Sequence, residues 1–425
     1  MSESISLICE IVLTGLIVFH FIHSFFNRDK TLIWSPISTV SLTYAYYCLM
    51  PYWGGAQERY AVNEQAYDGH LFHIAALLSY VCILIGFRTS YKKPIFRKWN
   101  DFFSNANAGK YGLILTAVGV LGYASVRGFH FSFVANSDNT ALVMGGFVYY
   151  LMMMLDVLPF AAALLIIGIR NNRRDTRKVA IYFFSLWLIL VHFLIAGARW
   201  RIVVMVIAVL TVYYLYLVKK RVSILWVGTL AFVLYIGFSA MDQVRSRGRG
   251  INMEEAQDLS YNDVKGGAGE NSSVYSFSLM CIGQINKSEE RVYFQPIVTA
   301  VLMPIPRFMF PWKPDATYLH KVEEIVLGNA DSGAAYLNFV ESFFSFGWIG
   351  VIFWAWFLGW LARRFWDNYL NNKQSIGAVI ALGVFSGLCY VFISRGYLAA
   401  SLTSFLISLY VPFWVVKLIK KIYEK

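Results

Sequence analysis

The chain has 425 residues, 58% of them hydrophobic and only 15% charged, with a formal net charge of +12. That balance excludes an ordinary soluble domain and leaves a polytopic membrane protein; nothing in it asks for a nucleic-acid partner. Of the five cysteines, Cys9, Cys48, Cys82 and Cys389 lie in apolar runs and Cys281 lies alone in a long polar-to-mixed stretch, so neither a disulfide within that stretch nor metal-ligand spacing is present.

Residues 5–26 read as a retained first span and not as a cleaved leader: Glu3 precedes them, no Lys or Arg does, and no small-residue cleavage site follows. Further apolar runs of spanning length occur at 31–50, 71–87, 111–129, 143–169, 179–196, 202–218, 222–240, 338–361, 376–393 and 397–416, which makes eleven expected transmembrane helices. They must be helical, because in lipid every backbone polar group needs a partner within the segment. The expected organisation is eight helices in 1–240, one large loop at 241–337 and three helices in 338–425.

The connections alternate in charge. Segments 27–30, 88–110, 170–178, 219–221, 362–375 and 417–425 together hold 23 Lys and Arg against 5 Asp and Glu, a balance of +18. The rest of the chain holds 14 against 20, a balance of −6. The positive-inside rule puts the basic set in the cytoplasm, the N-terminus outside and the C-terminus inside. Stretch 241–337 then lies on the outer face, too long to be an idle loop. It opens on DQVRSRGRG, continues into an expected helix at 272–285 (SSVYSFSLMCIGQI), and ends in the apolar run 291–314, which Pro296, Pro304, Pro306, Pro311 and Pro314 prevent from spanning. That run is expected to lie at the interface or across the mouth of the bundle.

Against this frame a second set of arginines falls on the wrong side. Arg199 and Arg201 occupy a turn, AGARWR; Arg245, Arg247 and Arg249 sit in RSRGRG; Arg307 lies between prolines in PIPRFMFPWKP, with Lys313 in the same segment; Arg395 stands alone in SRGYL. Topology alone disfavours cations there, so they are candidates for holding an anion such as a lipid-linked phosphate. The competing readings are headgroup snorkelling for Arg199 and Arg201, a solvated basic loop for Arg245 to Arg249, and a salt bridge to Glu341 for Arg395. Glu341, at the head of the span in NFVESFFSFGWIG, is a general base or an arginine partner. Asp156, mid-span and followed by Pro159, is functional or a packing residue, and Glu10 is a weaker candidate of the same kind. His20, His23 and His192 lie on apolar helices and are expected to be buried hydrogen-bonding residues; His320, in KPDATYLHK, is the histidine to test for substrate contact. No GxxxxGK[ST], HExxH or acidic pair near the arginines is present, so neither ATP, nor another cofactor, nor a metal is expected.

Four patches in this order, GARWR, PRFMFPWKP, ESFFSFGWIG and SRGYL, together resemble the Wzy-type polymerases of O-antigen and capsular repeat units. The resemblance implies a C-type glycosyltransferase-like architecture in the bacterial inner membrane with its active site facing outward. It implies transfer of a growing glycan from undecaprenyl diphosphate onto the sugar of a new lipid-linked unit, with membrane lipid around the site and a chain-length regulator protein as a further partner. The family's arginine roles carry over to Arg199 or Arg201, to Arg307 and to Arg395. Apart from the resemblance, the residues themselves offer Glu341 as a further catalytic candidate and Arg245, Arg249, Lys313 and His320 as candidate substrate contacts. The related O-antigen ligase, and a flippase or transporter of lipid-linked oligosaccharide, are the alternatives; a transporter would carry its charges at mid-membrane.

Overall fold

The structure is a computed structural model that describes residues 2–26, 31–54, 68–89, 102–127, 146–195, 199–218, 269–302, 305, 309–310, 312, 317–327 and 335–423. Among the described residues the regular structure is entirely helical, as the hydropathy pattern requires. The helices are α1 (Ser2–Phe26), α2 (Pro36–Tyr44), α3 (His70–Arg88), α4 (Ala108–Arg127), α5 (Gly146–Met153), α6 (Leu158–Asn171), α7 (Thr176–Ile195), α8 (Arg199–Val212), α9 (Gly269–Ser288), α10 (Gln295–Leu302), α11 (Thr317–Leu327), α12 (Asn338–Asn371), α13 (Ile376–Ser394) and α14 (Leu398–Tyr423).

Nine helical stretches among the described residues are long and apolar enough to cross a membrane. They coincide with nine of the eleven expected spans. The expected span 222–240 lies outside the described residues. The expected span 31–50 is an interrupted rod that is not among the nine: a 3₁₀ turn at Leu32–Trp34, then α2, a π-helical turn at Ala45–Leu49 and a last turn at Met50–Trp53. Pro51 explains the interruption, since it has no N–H to donate and its ring crowds the carbonyl four residues back.

The chain forms two compact units. The first comprises 1–95, 271–368 and 388–403. Its core holds α9, the helix expected at 272–285 in the outer stretch. Val274, Tyr275, Phe277, Leu279, Cys281, Ile282 and Ile285 are buried, and so are Ser276 and Ser278 between them. These serines can be buried because their hydroxyls bond the backbone: Ser276 and Ser278 donate to the carbonyls of Ser272 and Val274 at 2.8 and 2.6 Å. Ser278 Oγ also accepts the Leu337 N–H at 2.9 Å, which ties α9 to the entry of α12.

Helix α12 is broken near its start. Phe346 leaves helical geometry and Gly347 adopts φ 62°, ψ −143°, a conformation that glycine alone takes without strain. The break frees carbonyls of the first turns, and Val292 N–H takes that of Phe344 at 3.0 Å. Ahead of α10, Tyr293 and Phe294 are exposed; within it Val298 and Val301 are exposed, and beyond it Met309 and Trp312. That apolar face is the kind an interfacial helix presents to lipid.

The second unit comprises 96–270, 369–387 and 404–425. Its centre is α6, where Phe160 to Leu165 are fully buried. Gly112 and Gly119 of α4 lie where a Cβ would collide with Leu165 and Leu158, so small residues set the close approach of these two helices. Phe102, Phe103, Phe160 and Phe413 form an aromatic cluster beside which Lys420 donates to the Phe102 carbonyl at 2.7 Å.

Candidate functional site

In the first unit the site is built around the turn between α13 and α14. Helix α13 ends at Ser394 and α14 begins at Leu398, leaving Arg395, Gly396 and Tyr397 to reverse the chain. Both flanks of the turn are tied to one neighbouring segment. Gly396 N–H donates to the Tyr336 carbonyl at 2.8 Å, and a Cβ at Gly396 would run into the Tyr336 ring, so this approach requires glycine. Leu398 N–H donates to both carboxylate oxygens of Glu341, at 3.2 and 3.0 Å.

Glu341 is 3% exposed and sits in the first turn of α12. Its second partner is the Tyr318 hydroxyl of α11, which donates at 2.7 Å. Burial, then the neighbouring carboxylate, holds the Tyr318 phenol well above its ordinary value, so the hydroxyl stays protonated and keeps donating. Among the described residues Glu341 takes its hydrogen bonds from Tyr318 and Leu398, not from a guanidinium. A carboxylate on the first free N–H of α14 is a helix cap supplied from another helix, and it complements the positive end of the α14 dipole. Arg395 therefore projects from a turn whose backbone is held on both sides, and its side chain is only partly buried.

Among the described residues, two hydroxyls beside this turn have no hydrogen-bond partner. Ser394 and Ser401 are 1% and 2% exposed, and the Oγ of each is unsatisfied. Serine in a helix normally bonds a carbonyl of the preceding turn, so two orphaned hydroxyls flanking one arginine call for an explanation.

The second unit holds a different arginine arrangement. Arg201, in the first turn of α8, is 3% exposed and its Nε donates to Asp156 Oδ1 at 2.6 Å. Asp156 lies in the 3₁₀ turn Met154–Val157 that joins α5 to α6, just ahead of Pro159. The missing Pro159 N–H loosens the helical ladder there and turns the carboxylate into position. The guanidinium also contacts Met153 Sδ at 3.5 Å and lies over the Trp200 ring at 4.5 Å.

In the first unit Glu341 bonds the Leu398 amide, three residues beyond Arg395, and in the second unit Arg201 is compensated by Asp156. Arg199 opens α8 and His320 lies in α11, but their side chains are outside the described residues, as are Arg245, Arg247, Arg249, Arg307 and Lys313. His192 is buried and bonded to the Leu188 carbonyl at 2.9 Å as expected, and His20 is half-buried and bonded to Ser38 Oγ at 3.1 Å, whereas His23 is exposed on α1 instead of buried. Tyr318, Ser394, Ser401 and the Leu398 amide were not legible as site groups; the only trace was a serine on each side of the RGYLAA turn.

The family model for the O-antigen polysaccharide polymerase Wzy matches residues 4–425, nearly the whole chain. The chain belongs to the Wzy family. No curated protein and no solved structure matches it. Family membership assigns this Wzy protein to polymerisation of O-antigen repeat units, a glycosyltransferase-like activity, on a multi-pass membrane protein.

Proposed function

We propose that this Wzy protein transfers the growing glycan from an undecaprenyl diphosphate carrier onto a sugar hydroxyl of a new lipid-linked repeat unit, at the outer face of the inner membrane. The observation that carries the reading is the Arg395 turn, locked by Glu341 on one flank and Tyr336 on the other. The acceptor oxygen bonds to the anomeric carbon, the carbon–oxygen bond to the diphosphate breaks, and its electron pair leaves on the diphosphate. Negative charge therefore grows on the carrier as the reaction proceeds. A guanidinium already in place stabilises that charge without reorganising, and more effectively where water is excluded.

In this reading Arg395 grips the diphosphate, and the orphaned hydroxyls of Ser394 and Ser401 donate to its oxygens. Arg307 completes the anion site. Of the pair in AGARWR, Arg199 serves the diphosphate, because the charge of Arg201 is already spent on Asp156. Glu341 positions the Arg395 turn instead of acting as a base; an oxocarbenium-like transition state needs little prior deprotonation of the acceptor. Arg245, Arg249, Lys313 and His320 are left to contact the glycan and its carrier, and the basic loops face the cytoplasm, opposite the site.

A deletion strain tests the reading. Loss of a polymerase leaves single repeat units attached to the lipid A core, loss of a ligase accumulates long lipid-linked chains, and loss of a flippase removes both products. Single-repeat caps, restored to a full ladder by the wild-type gene, are expected; either other pattern overturns the assignment.

A further inference from the structure

The first unit contains a second buried polar chain that the reaction as described does not use. Glu10 of α1 and His73 of α3 are both fully buried, and His73 Nδ1 lies 2.7 Å from Glu10 Oε1. The opposite ring nitrogen, His73 Nε2, is 3.3 Å from the hydroxyl of Tyr275 on α9, itself 2% exposed. The three residues are 63 and 202 positions apart, so only the fold assembles them.

The order of donors follows from the chemistry. A carboxylate accepts only, so Nδ1 carries the hydrogen toward Glu10 and Nε2 is the bare nitrogen. Tyr275 O–H then donates to Nε2. This is a carboxylate orienting an imidazole whose free nitrogen is basic toward a hydroxyl, the same logic by which a buried acid fixes a histidine's tautomer elsewhere. Aromatic rings hold it rigid: Tyr52 lies edge-on to His73 at 5.2 Å, and Phe72 lies edge-on to Tyr275 at 4.9 Å.

Stability does not account for it. Burying a carboxylate and an imidazole costs several kcal/mol even when they pair, and apolar residues of similar volume commonly do as well or better. The chain also lies close to the site already described. Phe72, next to His73, contacts Phe339 at a ring distance of 5.5 Å, and Phe339 is two residues before Glu341.

We infer that Glu10, His73 and Tyr275 form a proton relay for the glycosyl transfer, in which Tyr275 takes the proton that the acceptor sugar hydroxyl loses. The inference rests on the polymerase reading above. As the acceptor oxygen bonds to the anomeric carbon and the diphosphate departs with the electron pair, the hydroxyl proton passes to the Tyr275 oxygen, directly or through one water. The Tyr275 proton passes in the same event to His73 Nε2. The products are the glycosidic bond, the diphosphate carrier, a neutral Tyr275 and an imidazolium paired with the Glu10 carboxylate. The imidazolium returns its proton by the same path to water between turnovers. Tyr275 is thus the group that exchanges a proton with substrate; His73 and Glu10 are positioning residues that act through it.

The test uses the full-length protein in lipid nanodiscs with a chemically defined undecaprenyl-diphosphate-linked repeat unit, measuring kcat, KM and thermal unfolding. Tyr275→Phe removes one oxygen from a buried ring, and His73→Gln keeps a side-chain amide near the Glu10 carboxylate. Both should lower kcat about 100-fold or more, the scale of a lost acid–base group, with KM within about 2-fold of wild type. Phe103→Leu, a packing change in the aromatic cluster of the second unit, should lower the unfolding temperature and leave kcat near wild type. Wild-type kcat in a folded Tyr275→Phe protein overturns the relay. So does a loss in His73→Gln that follows unfolding alone, with activity per folded molecule retained. A wild-type protein that makes no polymer from this substrate overturns the polymerase reading and the relay with it, so the two failures are distinguishable.

Discussion

The two described arginine sites use the same residue types in opposite ways. In the second unit the carboxylate of Asp156 meets the guanidinium of Arg201 directly, both nearly or fully buried, and the charge of the arginine is consumed within the protein. In the first unit the carboxylate of Glu341 meets backbone and a phenol, and what it holds is the turn that carries Arg395. The lesson is that an arginine near a buried acid is not thereby a salt-bridge residue. Where the acid spends its hydrogen bonds decides whether it compensates an arginine or positions the backbone that carries one.

The largest effect expected from this contrast is on stability, in the second unit. Arg201→Ala strands a buried carboxylate and should destabilise the protein by about 3–5 kcal/mol, seen as a loss of membrane-extracted protein that migrates as a single species. The double variant Arg201→Leu, Asp156→Leu removes both charges and should restore abundance and a normal polymer ladder. A double variant that is abundant yet makes no polymer would return Arg201 to the chemistry and erase the contrast.

Arg395→Ala should behave the other way, with near-normal abundance and transfer lowered about 10²–10³-fold, read as collapse of the ladder to single repeats. Arg395→Lys keeps the charge but not the planar fork that takes two phosphate oxygens, and should recover only part of the activity. Full ladder length in Arg395→Ala at normal abundance would break the assignment.

A smaller effect is expected from Ser394→Ala. A buried hydroxyl without a partner costs the fold, so its removal should leave the unfolding temperature unchanged or higher. If it donates to the substrate, kcat/KM should still fall about 10-fold, corresponding to roughly 1.4 kcal/mol. A stabilised variant with unaltered kcat/KM would show that the hydroxyl meets no ligand. Smallest of all, Tyr318→Phe removes one hydrogen bond to Glu341 and should cost about 1 kcal/mol. Its Leu398 cap remains, so kcat should fall only a few-fold. A loss as large as that of Arg395→Ala would mean that the phenol itself takes part in the reaction.

The membrane character and nine spanning stretches were legible in the amino-acid sequence, because hydropathy is a property of local segments. The break at Gly347 within ESFFSFGWIG was not read from the sequence, although its backbone conformation is one that glycine takes without strain. The rod at 31–53 was legible as an apolar run but not as an interrupted one, although Pro51 was there to see. The serine-rich helix α9 read as weakly amphipathic, and a stripe at Ser273, Met280, Gln284 and Lys287 is indeed less buried, but Ser276 and Ser278 lie buried among the apolar residues. Its hydroxyls bond their own backbone, and a hydropathy pattern does not register that.

What the sequence by itself determined is which segments are apolar enough to leave water and where charge interrupts them. What only the tertiary structure decided is how each buried charge is compensated. Asp156 and Arg201 are 45 residues apart, Glu341 and Leu398 are 57 apart, and His73 lies 63 residues from Glu10 and 202 from Tyr275. A hydrogen bond reaches about 3 Å, so partners at such separations in the chain are chosen by helix packing, which no local pattern encodes.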